Sequence, residues 1–332
     1  MSAEHPHRVT IVDVAREAGV STSLVSLALS GAPRVADSTR ERILKLAGEL
    51  GYRRNALAAG LVSGRTGLLA VIVTDLASPY HADVASQVEA ACDQASLTAL
   101  ILNGRRDPER LDSLLDQALR LQVDAVVVIS SWIPVERLEA VGRLRPVAVV
   151  GRLEATPSHL DTVRNDDERG TGLAMQHLRS LGHRRIAALA GGSRPAQLAR
   201  LVAYRADMAA HGDAGLVEEF GLDAVDTLVG RLREPGGPTA VFATNDNAAV
   251  DLLRQAADAG IAVPTQVSVV GYDDTALARS WRPRLSSVGQ AIDVLGTRAV
   301  QMVAERLAGR TEARHEIVLG ELAVRETTAR PA

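Results

Sequence analysis

The 332-residue chain predicts an N-terminal all-α head followed by an α/β body of two doubly wound parallel-sheet lobes. Three observations carry this. Residues 9–50 show only helical spacing of their apolar positions, with no strand pattern. From Leu68 onward, short continuous apolar runs alternate with amphipathic stretches, as expected of parallel strands buried on both faces and covered by helices. That alternation begins a second time after a loop, so the body holds two similar lobes.

In the head, Thr10 is placed to cap a helix over 11–18, and Gly19 to end it, because a helix C-terminus favours a residue that accepts positive φ. A second helix runs from Thr22 to Leu29, capped by Ser21. A third spans about 37–50 and stops at Gly51. The stretch "NALAAGLVSGRTG" reads as a short helical piece and then a Gly/Ser joint. In the body, "LLAVIVTD", "LTALILN", "DAVVVISS" and "PVAVVG" read as strands, separated by helices over 81–95, 108–121 and 134–143. The second series is a helix over 168–181, the strand "RIAALAG", a helix over 197–211 and a weak strand near 214–219. A helix over 222–233, the strand "AVFATND", a helix over 247–259 and the strand "VSVVGYDD" complete it. A long helix over 290–308 and closing strand-like runs in "HEIVLGELAVRE" follow. The predicted division is a head over 1–53, a hinge over 54–65 and a body over 66–332. Lobe 1 takes about 66–164 and 290–319, lobe 2 about 165–289 and 320–330.

Composition narrows the function. Hydrophobic residues make up 46% and aromatics only 2%, so the core is built from Ala, Val, Leu and Ile. Residues 1–65 carry nine Lys/Arg and six Asp/Glu, although the whole chain has a net charge of −3. A basic head on an acidic body suits a head that meets a polyanion. The lone Cys92 rules out a disulfide framework and a Cys-based metal site. "MSAEHPHRV" has no apolar signal-peptide core, and no run reaches the ~18 apolar residues of a membrane span. The expectation is a soluble, cytoplasmic protein with no membrane partner. There is no Gly-x-Gly-x-x-Gly, Walker loop, His-Glu-x-x-His or Gly-x-Ser-x-Gly motif. The sequence therefore predicts no enzyme, cofactor or metal.

Val14, Ala15 and Ala18 form the inward stripe of the first helix; Val25, Ala28 and Leu29 form that of the second. Thr22, Ser23, Ser26 and Leu27 are left facing outward. Chained together, "DVA", "AGVS", "VS", "TRERI" and "LGY...NALA" resemble the helix-turn-helix head of lac-repressor-like (LacI/GalR) transcription regulators, and the resemblance continues through the body to about Leu322. It implies that Thr10, Ser21 and Ser26 touch phosphates, which set register. It also implies that Thr22, Ser23 and Leu27 read bases in the major groove. Relatives often have Arg or a long polar residue at the position of Leu27. A Leu there can contact a thymine methyl or stand off, or it can pack on the third helix.

The same resemblance makes Asn55, Ala58 and Leu61 the hinge; the segment is alternatively a passive linker. In the family this segment orders on the operator and wedges a side chain, here Leu61, into the minor groove. Arg54 can contact a phosphate or be simply solvated.

Two doubly wound lobes bind ligands beyond the carboxyl ends of their strands. Those ends bring Thr74, Asp75, Ser78, Tyr80, Asn103, Trp132 and Arg152 from lobe 1, and Gly191 to Ser193, Asn245, Asp246, Asp273 and Asp274 from lobe 2. Such a set suits a small polyhydroxylated or carboxylated ligand. The resemblance marks Arg200, Asn245 and Asp273 as effector-binding, and Arg200 alternatively forms a structural salt bridge. Trp132 and Phe220 are candidate stacking platforms, and Phe220 alternatively belongs to the core. Asp75, Asp246 and Asp274 alternatively cap helices. The implied protein is a homodimeric repressor that binds double-stranded operator DNA under control of a small effector such as a sugar. The alternative is a solute-binding receptor resembling periplasmic sugar binders, with no DNA role.

Overall fold

The computed structural model describes residues 9–29, 34–52 and 65–331, and falls into two compact units, Met1–Thr66 and Gly67–Ala332. Among its described residues the first unit has three helices, α1 (Ile11–Ala18), α2 (Thr22–Leu29) and α3 (Asp37–Glu49). Thr10 and Asp13 close α1 with a reciprocal capping box, and Gly19 ends it at φ 65°. Val14, Ala15, Ala18, Val25, Ala28, Val35, Ile43 and Ala47 make its small core. The Arg42 guanidinium donates to the Ala18 carbonyl (3.1 Å), placing a cation at the carboxyl end of α1, where the helix dipole favours it.

The second unit holds two six-stranded sheets. Its elements are β1 (Leu68–Val73), α4 (Pro79–Gln94), β2 (Thr98–Asn103), α5 (Pro108–Arg120), β3 (Ala125–Ile129), α6 (Val135–Gly142), β4 (Val147–Val150), β5 (Asp161–Asn165) and α7 (Asp167–Ser180). They continue through β6 (Ile186–Leu189), α8 (Pro195–Ala210), β7 (Glu218–Phe220), α9 (Val225–Arg231), β8 (Ala240–Ala243), α10 (Asp246–Asp258) and β9 (Ser268–Asp273). The last are α11 (Ala276–Ser280), β10 (Ser286–Gly289), α12 (Ile292–Leu307), β11 (His315–Val318) and β12 (Leu322–Ala323). One sheet has the order β11-β5-β4-β3-β1-β2, the other β12-β10-β9-β8-β6-β7. Only the β10–β12 pair is antiparallel. Both faces of both sheets are covered. α4 and α12 pack on one side of the first sheet, α5 and α6 on the other. α9 and α10 pack on one side of the second, α7 and α8 on the other.

Two strands and a helix lie where the sequence gave no sign of them: β5, β10 and α11. β5 ("DTVRN") and β10 ("SSVG") are polar yet central, because distant partners satisfy them. The fully buried Asp161 of β5 receives Arg306 (3.0 Å), Arg310 (2.7 and 3.1 Å) and the backbone N–H of Arg314 (2.8 Å). Ser286 of β10 donates its N–H to Thr327 (2.9 Å), and Ser287 donates its hydroxyl to Asp246 (2.6 Å). Near 214–219 the chain makes a 3₁₀ turn, Ala214–Leu216, before the short edge strand β7.

The chain passes between the sheets three times, from β5 to α7, from β10 to α12 and from β11 to β12. The last two passages touch backbone to backbone. Gly289 donates its N–H to the Glu321 carbonyl (2.8 Å), and a Cβ on Gly320 would come within 1.6 Å of the Gly289 oxygen.

Removing one partner of a buried ionic cluster strands the others, at about 3–5 kcal/mol. Asp161→Ala should therefore destabilise the body by that amount in urea unfolding. A loss within about 0.5 kcal/mol of zero, the range of a neutral surface change, would show that the cluster does not hold β5 in place.

Candidate functional site

In the head, α2 turns Val25 and Ala28 inward and leaves Ser21, Thr22, Ser23, Ser26 and Leu27 exposed, Leu27 by 41%. Leu27 is thus on the same outward face as Thr22, Ser23 and Ser26 and outside the core formed with α3. Ser21 accepts the Leu24 N–H (3.2 Å) and Thr10 accepts the Asp13 N–H (3.4 Å). Both hydroxyls thus serve as helix caps within the head. Asn55, Ala58 and Leu61, together with Arg54, lie outside the described residues.

In the body, a cleft of about 360 Å³ opens at the carboxyl ends of the strands of both sheets. Tyr80, Trp132, Arg200, Asn245 and Asp273 all line it, together with Arg152. Arg200, on α8 and only 3% exposed, is its structural centre. Its Nε donates to Asp167 (3.0 Å) and its Nη1 to the Thr244 carbonyl (2.6 Å) and to Asp273 (3.4 Å). Its guanidinium lies 3.6 Å from the centre of the Tyr272 ring. The other oxygen of Asp167 receives Arg152 (2.8 Å), which also pairs with Glu168. Gln290 donates to Asp273 (2.5 Å).

Asp273 and Asp274 both take left-handed backbone conformations, φ 108° and 49°. Such strain in residues other than glycine is held by its surroundings and gathers at ligand sites. Burial pushes the Asp273 carboxyl up, against the pull of Arg200. Burial likewise pushes the Tyr80 phenol up, keeping it a donor.

Asn245 caps α10 by accepting the Ala248 N–H (2.8 Å), and its amide is pressed against Gly191, where a Cβ would meet it at 2.0 Å. Trp132 carries the Arg194 guanidinium over its ring, 4.0 Å from the centroid. Two expected positions fall elsewhere. Asp75 does not line the cleft; it accepts the Ala77 N–H (3.0 Å) and pairs with Arg106 (3.0 Å), so its carboxylate organises the loop before α4. Phe220 sits on the edge strand β7, half-buried against the core beneath α9 and α10, and does not line the cleft. Asp246 is buried and receives Thr275 and Ser287.

Sequence reasoning passed over Asn165, Asp167, Arg164, Arg194 and Gln290, all of which line the cleft. Asn165 and Gln290 lie at the passages between the sheets, where neither strand nor helix periodicity gives a signal. Arg194 carried one usable mark, its place just before Pro195 at the start of α8.

Residues 10–55 match the family of bacterial regulatory proteins termed lacI, and residues 175–328 match the periplasmic binding protein-like domain. The HTH-type transcriptional regulator DegA of Bacillus subtilis (strain 168) is 31% identical over 333 residues, covering 97% of this chain and 98% of DegA. The chain belongs to the lacI family of bacterial regulatory proteins. Like other lacI-family members, it is a DNA-binding transcriptional regulator. The solved lac repressor dimer, bound to operator and the anti-inducer ONPF, aligns over 97% of this chain and 99% of its own, with a TM-score of 0.83 and 26% identity. A complex of the transcriptional regulator CelR with cellobiose covers 96% of this chain and 100% of its own, at a TM-score of 0.69 and 29% identity. Among the described residues no helix is long and apolar enough to cross a membrane.

The cleft contains one strongly perturbed histidine. Burial lowers His81 to about 4, with His177 and His183 also lowered by burial. Unfolding exposes these rings, so the unfolded chain takes up protons first, near the ordinary value of about 6.5. The stability these rings contribute at pH 7 should therefore be lost as pH drops from about 6.5 toward 4, against the opposite trend of the raised Asp246 and Asp273 carboxyls. Across that window the urea midpoint of His81→Gln should fall less, or rise more, than that of the wild type. Identical slopes in the two proteins would refute the assignment to His81.

Proposed function

We propose that this regulator is a dimeric repressor, with a head over 1–53, a hinge over 54–65 and an effector-binding body over 66–332. Two copies read the two halves of a near-palindromic operator, the two-fold symmetry of the protein matching that of the DNA. Thr22, Ser23 and Leu27 read base edges. Ser26 and the cap residues Thr10 and Ser21 face phosphates. Asn55, Ala58 and Leu61 form the hinge in the minor groove, as the resemblance implies.

The observation that carries this reading is the pairing, in one chain, of the exposed hydroxyl face of α2 with a cleft floored by a buried, ion-paired arginine. A solute-binding receptor would have no use for the head. In the cleft, Arg200 and Asp273 are the effector-binding pair, with Tyr80, Trp132 and Asn245 around them. The lac repressor dimer bound to operator and an anti-inducer, and the CelR complex with cellobiose, support a DNA-binding protein that also takes a small ligand. Ligand in the cleft changes the pose of the lobes and so the affinity of the heads for DNA. That coupling is reciprocal: operator changes ligand affinity by the same factor.

The test is fluorescence anisotropy with labelled DNA from upstream of the protein's own gene, titrated with salt and ligand. Specific DNA should bind far tighter than scrambled DNA and with steep salt dependence. Equal, weak binding to both under every ligand condition would end the proposal. Leu27→Arg should shift preference toward guanine at one position per half-site, by about 1–3 kcal/mol. Unchanged preference at every position would place Leu27 off the reading face.

A further inference from the structure

Five arginines line the cleft, and they fall into two groups. Arg106, Arg152 and Arg200 are neutralised by Asp75, Asp167, Glu168 and Asp273. Arg164 and Arg194 are not. Arg164, on β5, donates only to the neighbouring Asn165 carbonyl (3.1 Å), and Arg194 stacks on Trp132. Neither has a carboxylate within ion-pair distance among the described residues. A stacked guanidinium uses its face and keeps its in-plane N–H fork free, the geometry that grips a carboxylate or phosphate.

Two further features point at the same space. Arg194 is the N-cap of the sixteen-residue helix α8, and no side chain caps it. Its first-turn residues Ala196 and Gln197 line the cleft, so the positive end of a helix dipole faces the cavity. Asn165, also lining the cleft and only 2% exposed, donates its amide N–H to Tyr272 (2.5 Å) and leaves Oδ1 without a partner. A buried acceptor left unmatched is costly, and a ligand hydroxyl would satisfy it.

We propose that the ligand of this cleft is a hydroxyl-bearing molecule with an anionic group, a carboxylate or a phosphate, seated against Arg164 and Arg194. The neutralised arginines form the frame; the two unpaired ones supply the charge that selects an anion over its neutral parent. The inference rests on the cleft being the effector site, and it deepens that reading by naming the ligand class.

The test uses the full chain and its thermal midpoint at constant ionic strength, with sodium chloride as the balancing salt. The probes are inorganic phosphate, acetate, and three matched sugars: glucose, gluconate and glucose 6-phosphate. The proteins are wild type, Arg164→Gln, Arg194→Gln and, as a surface control, Arg120→Gln. At least one anionic probe should raise the midpoint saturably beyond chloride in wild type and the control. Each cleft variant should weaken that response roughly tenfold or more, as expected for loss of a charge-assisted contact. The phosphate and acetate arms separate the two anion types.

The proposal is overturned if no anionic probe acts beyond chloride, if the cleft variants respond like wild type, or if glucose binds as tightly as its charged counterparts. Repeating the titrations with labelled operator DNA keeps the two readings apart. A neutral ligand that releases DNA would sink the anion seat and keep effector control. An anion bound through Arg164 and Arg194 that never alters DNA binding would do the reverse.

Discussion

The body is organised around one buried cation. A guanidinium removed from water is tolerated only when its charge and donors are matched. Arg200 is matched by the start of α7 through Asp167, by the end of β8 through the Thr244 carbonyl, and by the end of β9 through Asp273 and the Tyr272 ring. One side chain on α8 thus fixes the positions of the strand ends that floor the cleft. The constraint spreads further. The Tyr272 hydroxyl accepts from Asn165 and lies where a Cβ on residue 170 would come within 2.1 Å, so Gly170 is required by the ring that Arg200 covers.

Around this fixed centre the cleft walls are less constrained. Trp132 follows β3 of the first sheet and Arg194 begins α8 beside the second, so their stack spans the two lobes. A contact of this kind is worth about 0.5–2 kcal/mol, little enough for a ligand to replace. The floor gives the site its shape, and the walls give it a contact that an occupant can exchange for its own.

Much of this was legible in the sequence because parallel strands buried on both faces are written as unbroken apolar runs. "LLAVIV", "AVVVI" and "VAVV" all became central strands. β5 and β10 were not legible, since their buried Asp161, Ser286 and Ser287 depend on partners such as Arg306, Arg310 and Thr327 that lie far along the chain or beyond another element. The same division holds in the cleft. Arg200 and Asp273 could be read from their motifs. Arg164, Asn165 and Gln290 are set by where the chain passes between sheets, a property of topology and not of local periodicity. Phe220 was ambiguous because aromatic chemistry suits a platform and a core equally, and only the direction of β7 decides between them.

The close contact of Gly289 with Gly320 and Glu321 has a mechanical meaning. Two of the three tethers between the lobes are locked together with no side chain between them. That bond continues the β10–β12 ladder, so both passages leave the second lobe as one strap, and rotation of the lobes bends only the segments beyond it. The joint therefore behaves as a short pivot with a long lever. For a given angle of opening, atoms beside the pivot barely travel, while those far from it sweep the greatest distance. Groups near the pivot can recognise a ligand in either pose, and groups at the far rim register how wide the cleft stands.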